Sequence, residues 1–143
     1  MHLQPVAISA GVEVTARQVL ERMLRIPSVT GAEGQLAEAM AGWCREAGLA
    51  VELQDVAPGR HNLIARWEVG RRPRLVLTGH LDTVPVGEGW TWDPYGAEVV
   101  DGRMIGRGAC DMKGGLAAAL AAVLDLRARG LEPAGDVMVA AMV

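Results

Sequence analysis

LVLTGHLD, Leu75 to Asp82, is the stretch on which the fold turns. Apolar and β-branched residues run without a break into a histidine and an aspartate. With Arg74 as its start, this reads as the central strand, Arg74 to Asp82, covered on both faces as in a helix-flanked sheet. Residues two apart on a strand point the same way, so Thr78, His80 and Asp82 share a face. The carboxyl ends of strands are where α/β sheets collect ligands. Histidine is the commonest neutral metal ligand, and a ligating histidine usually donates its second ring N–H to a carboxylate. His80 is therefore a candidate ligand, and Asp82 has the type and place of its orienting partner. Gly79 gives the backbone room for a close approach. A histidine bonded to an aspartate for structural reasons would use the same two residues, so the pair alone leaves both readings open.

Working outward, the pattern of elements is α/β. Val12, Val19, Leu20, Met23 and Leu24 recur at helical spacing over Val12 to Arg25, and Pro27 stops that helix. SVTGAEG is a turn with Thr30 as a cap, and a second helix places Leu36, Met40, Trp43 and Ala47 on one face before Gly48. Strands are predicted at Val51 to Val56 and Leu63 to Val69, with PGRHN as the turn between them. AEVV-DG-RMIG, Ala97 to Gly106, is a hairpin around an Asp101-Gly102 turn of type I′. Asp111 to Arg129 is an Ala- and Leu-rich helix, apolar almost all round and so buried against a sheet, and DVMVAAMV, Asp136 to Val143, is a last buried strand. Residues 1–10 read as a loose leader and 11–143 as one unit. The apolar ending suggests a chain cut short.

A second motif, GRGACDMKGG, Gly106 to Gly115, places Asp111 at a Gly-rich entry into the long helix. Aspartate is a preferred helix N-cap. The same carboxylate, held at a tight turn, can instead face a metal, and its two oxygens can bridge two ions. A phosphate loop is excluded, because Lys113 is neither preceded by glycine nor followed by Ser or Thr. His61 reads as a solvated turn residue, and Cys110 as a small apolar packing group. Trp90, Trp92 and Tyr95 line a substrate mouth or pack over the hairpin.

Composition bounds the function. Of 143 residues, 50% are hydrophobic and 22% charged, which is globular. A net charge of −3 with no basic stripe favours neither nucleic acid nor an anionic membrane as partner. The apolar run Gly114 to Leu124 is too short to span a bilayer, and the N-terminus lacks a signal-peptide pattern. Cys44 and Cys110 fit two reduced thiols in a cytoplasmic protein. No nucleophile elbow or catalytic Cys–His signature occurs.

GHLDTVPVGEGWTWDPYGAEVVDGRMIGRGACDMKGGLAA, with IPSVTGAEG and HNLIARW upstream, resembles the metal-binding core of the zinc-dependent amidohydrolase and exopeptidase family. Acetylornithine deacetylase, succinyl-diaminopimelate desuccinylase, aminoacylase and carboxypeptidase G belong to it. The likeness covers about residues 12–143 and sets aside the cap reading of Asp111 and the purely structural reading of His80. It implies an α/β catalytic domain with a mixed, mostly parallel sheet and flanking helices. It implies two zinc ions per complete site, with cobalt as a substitute, His80 as ligand to one, Asp111 bridging both, and Asp82 as an active-site residue orienting His80. The peptide after the bridging aspartate is often cis in such enzymes, which implies a cis Asp111–Met112 bond. The implied reaction is hydrolysis of amide bonds in N-acyl amino acids or small peptides. The implied general-base glutamate, remaining ligands and ferredoxin-like lid and dimerisation domain correspond to sequence after Val143. On this reading the parent is a homodimer and the 143-residue chain is inactive alone. The alternative is a non-catalytic binding or scaffold unit.

Overall fold

The computed structural model describes residues 14–72 and 74–143. The expected leader, residues 1–10, and the expected helix start at Val12 lie outside them. In chain order the elements are α1 (Ala16–Leu24), α2 (Gly34–Glu46), β1 (Ala50–Ala57), β2 (Arg60–Trp67), β3 (Leu75–His80), β4 (Val99–Val100), β5 (Arg103–Met104), a wide π-type turn (Ala109–Lys113), α3 (Gly114–Ala128) and β6 (Val137–Met142).

α1 starts later than its apolar pattern predicts, because Thr15 and Gln18 form a reciprocal cap. The Thr15 hydroxyl accepts from Gln18 N at 3.3 Å, and Gln18 Oε1 accepts from Thr15 N at 2.9 Å. Val14, just ahead of it, is buried in the core. The first two strands also differ from expectation. PGRHN is not a turn throughout: only Pro58-Gly59 connects β1 to β2, so Arg60, His61 and Asn62 lie on a strand. That tight connection makes the pair antiparallel.

The main sheet has the order β1-β2-β6-β3. β2 pairs antiparallel with β6, and β3 pairs parallel with β6, the crossover between them carrying α3. The fold is thus α/β with a mixed sheet and helices. Its parallel share is smaller than expected, one pairing of three, because the β1–β2 hairpin fixes the direction of half the sheet. One face packs Leu63, Ala65, Trp67, Val139 and Ala141 against Leu36, Met40, Leu116 and Leu120 of α2 and α3. α3 buries Leu116, Ala117, Leu120, Ala121, Val123 and Leu124, as its all-round apolar character requires.

Among the described residues β3 is not covered on both faces. It is the sheet edge among the described residues, and Leu75 and Val76 are each 53% exposed. A buried-looking apolar run cannot say which side of a strand finds a neighbour. β4 and β5 form the predicted hairpin, with Asp101 at φ 49° and Gly102 at φ 76° as a type I′ turn demands.

Candidate metal centre

The site forms where the end of β3 meets the turn before α3. Gly79 makes this possible: a Cβ there would lie 2.8 Å from Met112 Cε and 3.1 Å from its sulfur. The missing side chain lets Met112 lie on the strand, where its sulfur accepts from His80 N at 3.3 Å. Gly108, at φ 82°, admits the turn against β3's continuation, since a Cβ there would meet Thr83 Cγ2 at 2.6 Å. The neighbouring residue Asp111 is thereby brought beside His80.

Lys113 anchors the other end of the turn. It is fully buried, and its ammonium donates to the carbonyls of Met23 at 2.9 Å and Ile26 at 2.8 Å, at the C-terminal end of α1. Burial pushes its pKa down to about 8. Cations are favoured at helix C-termini, and here the cation also binds two carbonyls at the end of α1.

Asp111 is not a helix cap. Its backbone is extended, at φ −126° and ψ 99°, its peptide bond to Met112 is cis, and α3 begins at Gly114 with no side-chain cap. The expected helix start at Asp111 is therefore three residues early. The Asp111 side chain is 89% exposed, and its Oδ1 lies 3.0 Å from His80 Nε2. Cys110, next to it, is exposed rather than packed, because the turn faces it outward.

His80 is held from its other side. Its Nδ1 lies 3.0 Å from the Asp82 carbonyl and 3.1 Å from Asp82 Oδ1. Both are acceptors, so Nδ1 carries a proton, and Nε2 faces a third acceptor, Asp111, with which it shares a proton unless a cation takes that proton's place. β3 ends at His80, so Asp82 meets the ring from the loop that follows rather than along the strand face. Burial lowers the His80 pKa, but the Asp111 hydrogen bond, the Asp82 carbonyl and both carboxylate charges outweigh it, and the net direction is up.

This arrangement fits a cation. Two electron-pair donors 3.0 Å apart need a proton or a positive ion between them. Ligands roughly 2.0–2.1 Å from a tetrahedral zinc lie about 3.4 Å from each other, close to this spacing. Imidazole and carboxylate are both zinc donors. Among the described residues no three His, Cys, Asp or Glu side chains gather around one point, so the converging donors are two.

The other singled-out residues lie elsewhere. His61 is on β2, not in a turn, and its Nδ1 is 2.6 Å from Asp55 Oδ1 on the paired strand. Trp90 donates its indole N–H to the Val86 carbonyl at 2.8 Å and lies under the Arg107 guanidinium, 5.2 Å from its centroid, while Trp92 is exposed. Sequence reading missed two partners of the site. Thr30 is not a helix cap: α2 begins after Glu33, and the Thr30 hydroxyl donates to Asp82 Oδ2 at 2.7 Å. Glu33 is fully buried and accepts two bonds from Arg60, at 2.9 and 2.7 Å. Its place three residues after Thr30 is the one signal that could have pointed to this cluster.

Known proteins share this architecture. Residues 76–143 match the peptidase family M20/M25/M40. Succinyl-diaminopimelate desuccinylase from Methylobacterium radiotolerans is 42% identical over 129 residues, which cover 85% of this chain and 32% of that protein. An M20 family metallo-carboxypeptidase from Sulfolobus solfataricus has the same fold, with a TM-score of 0.79 at 24% identity over 89% of this chain and 30% of that one. Human carnosine dipeptidase 1 gives 0.78 at 24% identity, over 89% and 31%. The chain spans about a third of the length of the curated relatives it matches. By its sequence match, its 42% identical relative and its fold, the chain belongs to peptidase family M20/M25/M40.

Proposed function

We propose that this chain carries the first metal ligands of a zinc-dependent amidohydrolase acting on N-acyl amino acids or small peptides, of the desuccinylase and deacetylase kind. The observation that carries the reading is the His80 ring, fixed at Nδ1 by Asp82 and turned at Nε2 onto Asp111. The desuccinylase relative supports the reaction class and gives the nearest substrate type.

His80 and Asp111 would hold the metal. Asp82 keeps the proton on His80 Nδ1 and so keeps the lone pair on Nε2. When bound, zinc supplies Lewis acidity, polarising an amide carbonyl and making water acidic enough to attack at neutral pH.

A catalytic zinc takes three protein ligands, and two donors converge here. The 143 residues alone therefore bind zinc weakly and do not hydrolyse. The test assays the chain, with and without added zinc, on N-succinyl and N-acetyl amino acids, and titrates zinc into wild type and His80→Ala. Zinc binding lost in His80→Ala, with no turnover, supports the reading. Zinc affinity unchanged by His80→Ala contradicts the ligand assignment. Turnover that zinc restores and His80→Ala abolishes contradicts the claim that the chain alone is inactive.

A further inference from the structure

We propose that Thr30 is a positioning residue for the metal centre, acting through Asp82 on His80; this rests on the reading of His80 as a metal ligand. The residues before and after it hold Thr30 in place. Segment 28–30 runs alongside 81–83, joined by a parallel bridge between Val29 and Thr83. Thr30 N donates to Thr83 O at 3.0 Å, and Thr83 N donates to Ser28 O at 2.8 Å. The Ser28 hydroxyl donates to Leu81 O at 2.8 Å, and Ser28 and Thr83 are both buried. On the far side, buried Glu33 accepts from Gly31 N at 3.0 Å and is gripped by Arg60. Thr30 is thus fixed relative to Asp82 by backbone bonds on one side and an anchored turn on the other.

The Thr30 hydroxyl then meets Asp82 Oδ2 at 2.7 Å, while Asp82 Oδ1 is 3.1 Å from His80 Nδ1. A carboxylate is planar, so holding one oxygen sets the direction of the other. A hydroxyl bond to a charged oxygen at this length belongs to the strong class. Without it the Asp82 carboxylate rotates toward water, and His80 Nδ1 keeps only the Asp82 carbonyl. That remaining bond makes the loss partial. Partners of metal-bound histidines are worth 10–100-fold in affinity, and one step further out the low end, about tenfold, is expected.

The experiment measures zinc affinity of the 143-residue chain by competition with a chromophoric chelator, for wild type, Thr30→Val, Thr30→Ser, Thr30→Ala and His80→Ala, beside urea unfolding of each. The expected result is about tenfold weaker zinc in Thr30→Val and Thr30→Ala, wild-type affinity in Thr30→Ser, and unfolding midpoints that do not follow the affinities. If Thr30→Val fails to fold, Thr30→Ala against Thr30→Ser carries the comparison. Wild-type affinity in the variants lacking the hydroxyl, or loss in Thr30→Ser equal to theirs, overturns the proposal with the metal reading intact. Affinity unchanged by His80→Ala overturns the metal reading itself and the role of Thr30 with it.

Discussion

Two histidines of the sheet meet aspartates, His61 with Asp55 and His80 with Asp82 and Asp111, and only the second has the geometry of a site. In both, an exposed carboxylate meets a ring nitrogen within 3.0 Å. The His61 pair joins directly opposed residues of an antiparallel hairpin, and its contact uses Nδ1. The His80 pair joins a strand end to a turn, and its contact uses Nε2 because Asp82 already holds Nδ1. A cross-strand pair of this kind is explained by sheet pairing alone. A ring whose proton is pinned on one nitrogen offers a directed lone pair on the other. Proximity of acid and base does not mark a metal centre; a ring held at one nitrogen, with a second carboxylate facing the other, does.

The largest expected break in this comparison comes from the ligands. Asp111→Ala and His80→Ala remove the measurable zinc binding, a larger loss than partners of ligands cause, while His61→Ala leaves the affinity within about twofold. Calorimetric titration reads all three. Because Asp111 is exposed, its removal changes unfolding free energy by no more than about 0.5 kcal/mol. Next comes Asp82→Asn, which weakens zinc by about 10–100-fold and keeps the fold.

Lys113→Met tests the anchor of the turn. It leaves the Met23 and Ile26 carbonyls without the ammonium, and a loss of about 2–3 kcal/mol in urea unfolding is expected. The smallest effect is a pH dependence that sharpens the contrast between closed and open pairs. Burial raises the Glu33 pKa, but the Arg60 hydrogen bonds, the amide donors and the Arg60 charge outweigh it, and the net direction is down. A carboxyl depressed in the folded state binds fewer protons there than when unfolded. Its stabilisation is complete above the ordinary carboxylate value and is lost as pH falls through the depressed one. Glu33→Gln should flatten that part of the acid limb in unfolding measured from pH 6 to pH 2.

Much of this was legible in the residues. The apolar run before His80, the Asp101-Gly102 turn and the all-round apolar α3 are local patterns, and each predicted its element. The spacing of His80 and Asp82 gave the orienting contact, although the ring is reached from a loop. Other features were hidden for physical reasons. An aspartate before a helix carries the same signal whether it caps the helix or faces a ligand, so Asp111 needed its backbone angles to be placed. Lys113 is a charge that pattern reading sends to the surface, and only the end of α1 explains its burial. Thr30 looks like a cap until the bridge between Val29 and Thr83 lays it beside Asp82. These are contacts across more than fifty residues, and periodicity is blind to them.

His80, rather than His61, turns Nε2 onto a carboxylate where zinc would sit. Imidazole nitrogen resonances followed by NMR during zinc addition test it most directly. The expected result is that the His80 Nε2 signal moves to a metal-bound position with Nδ1 still protonated, that His61 is unaffected, and that Asp111→Ala abolishes the change. Zinc shifting His61 first, or leaving His80 untouched, would contradict it.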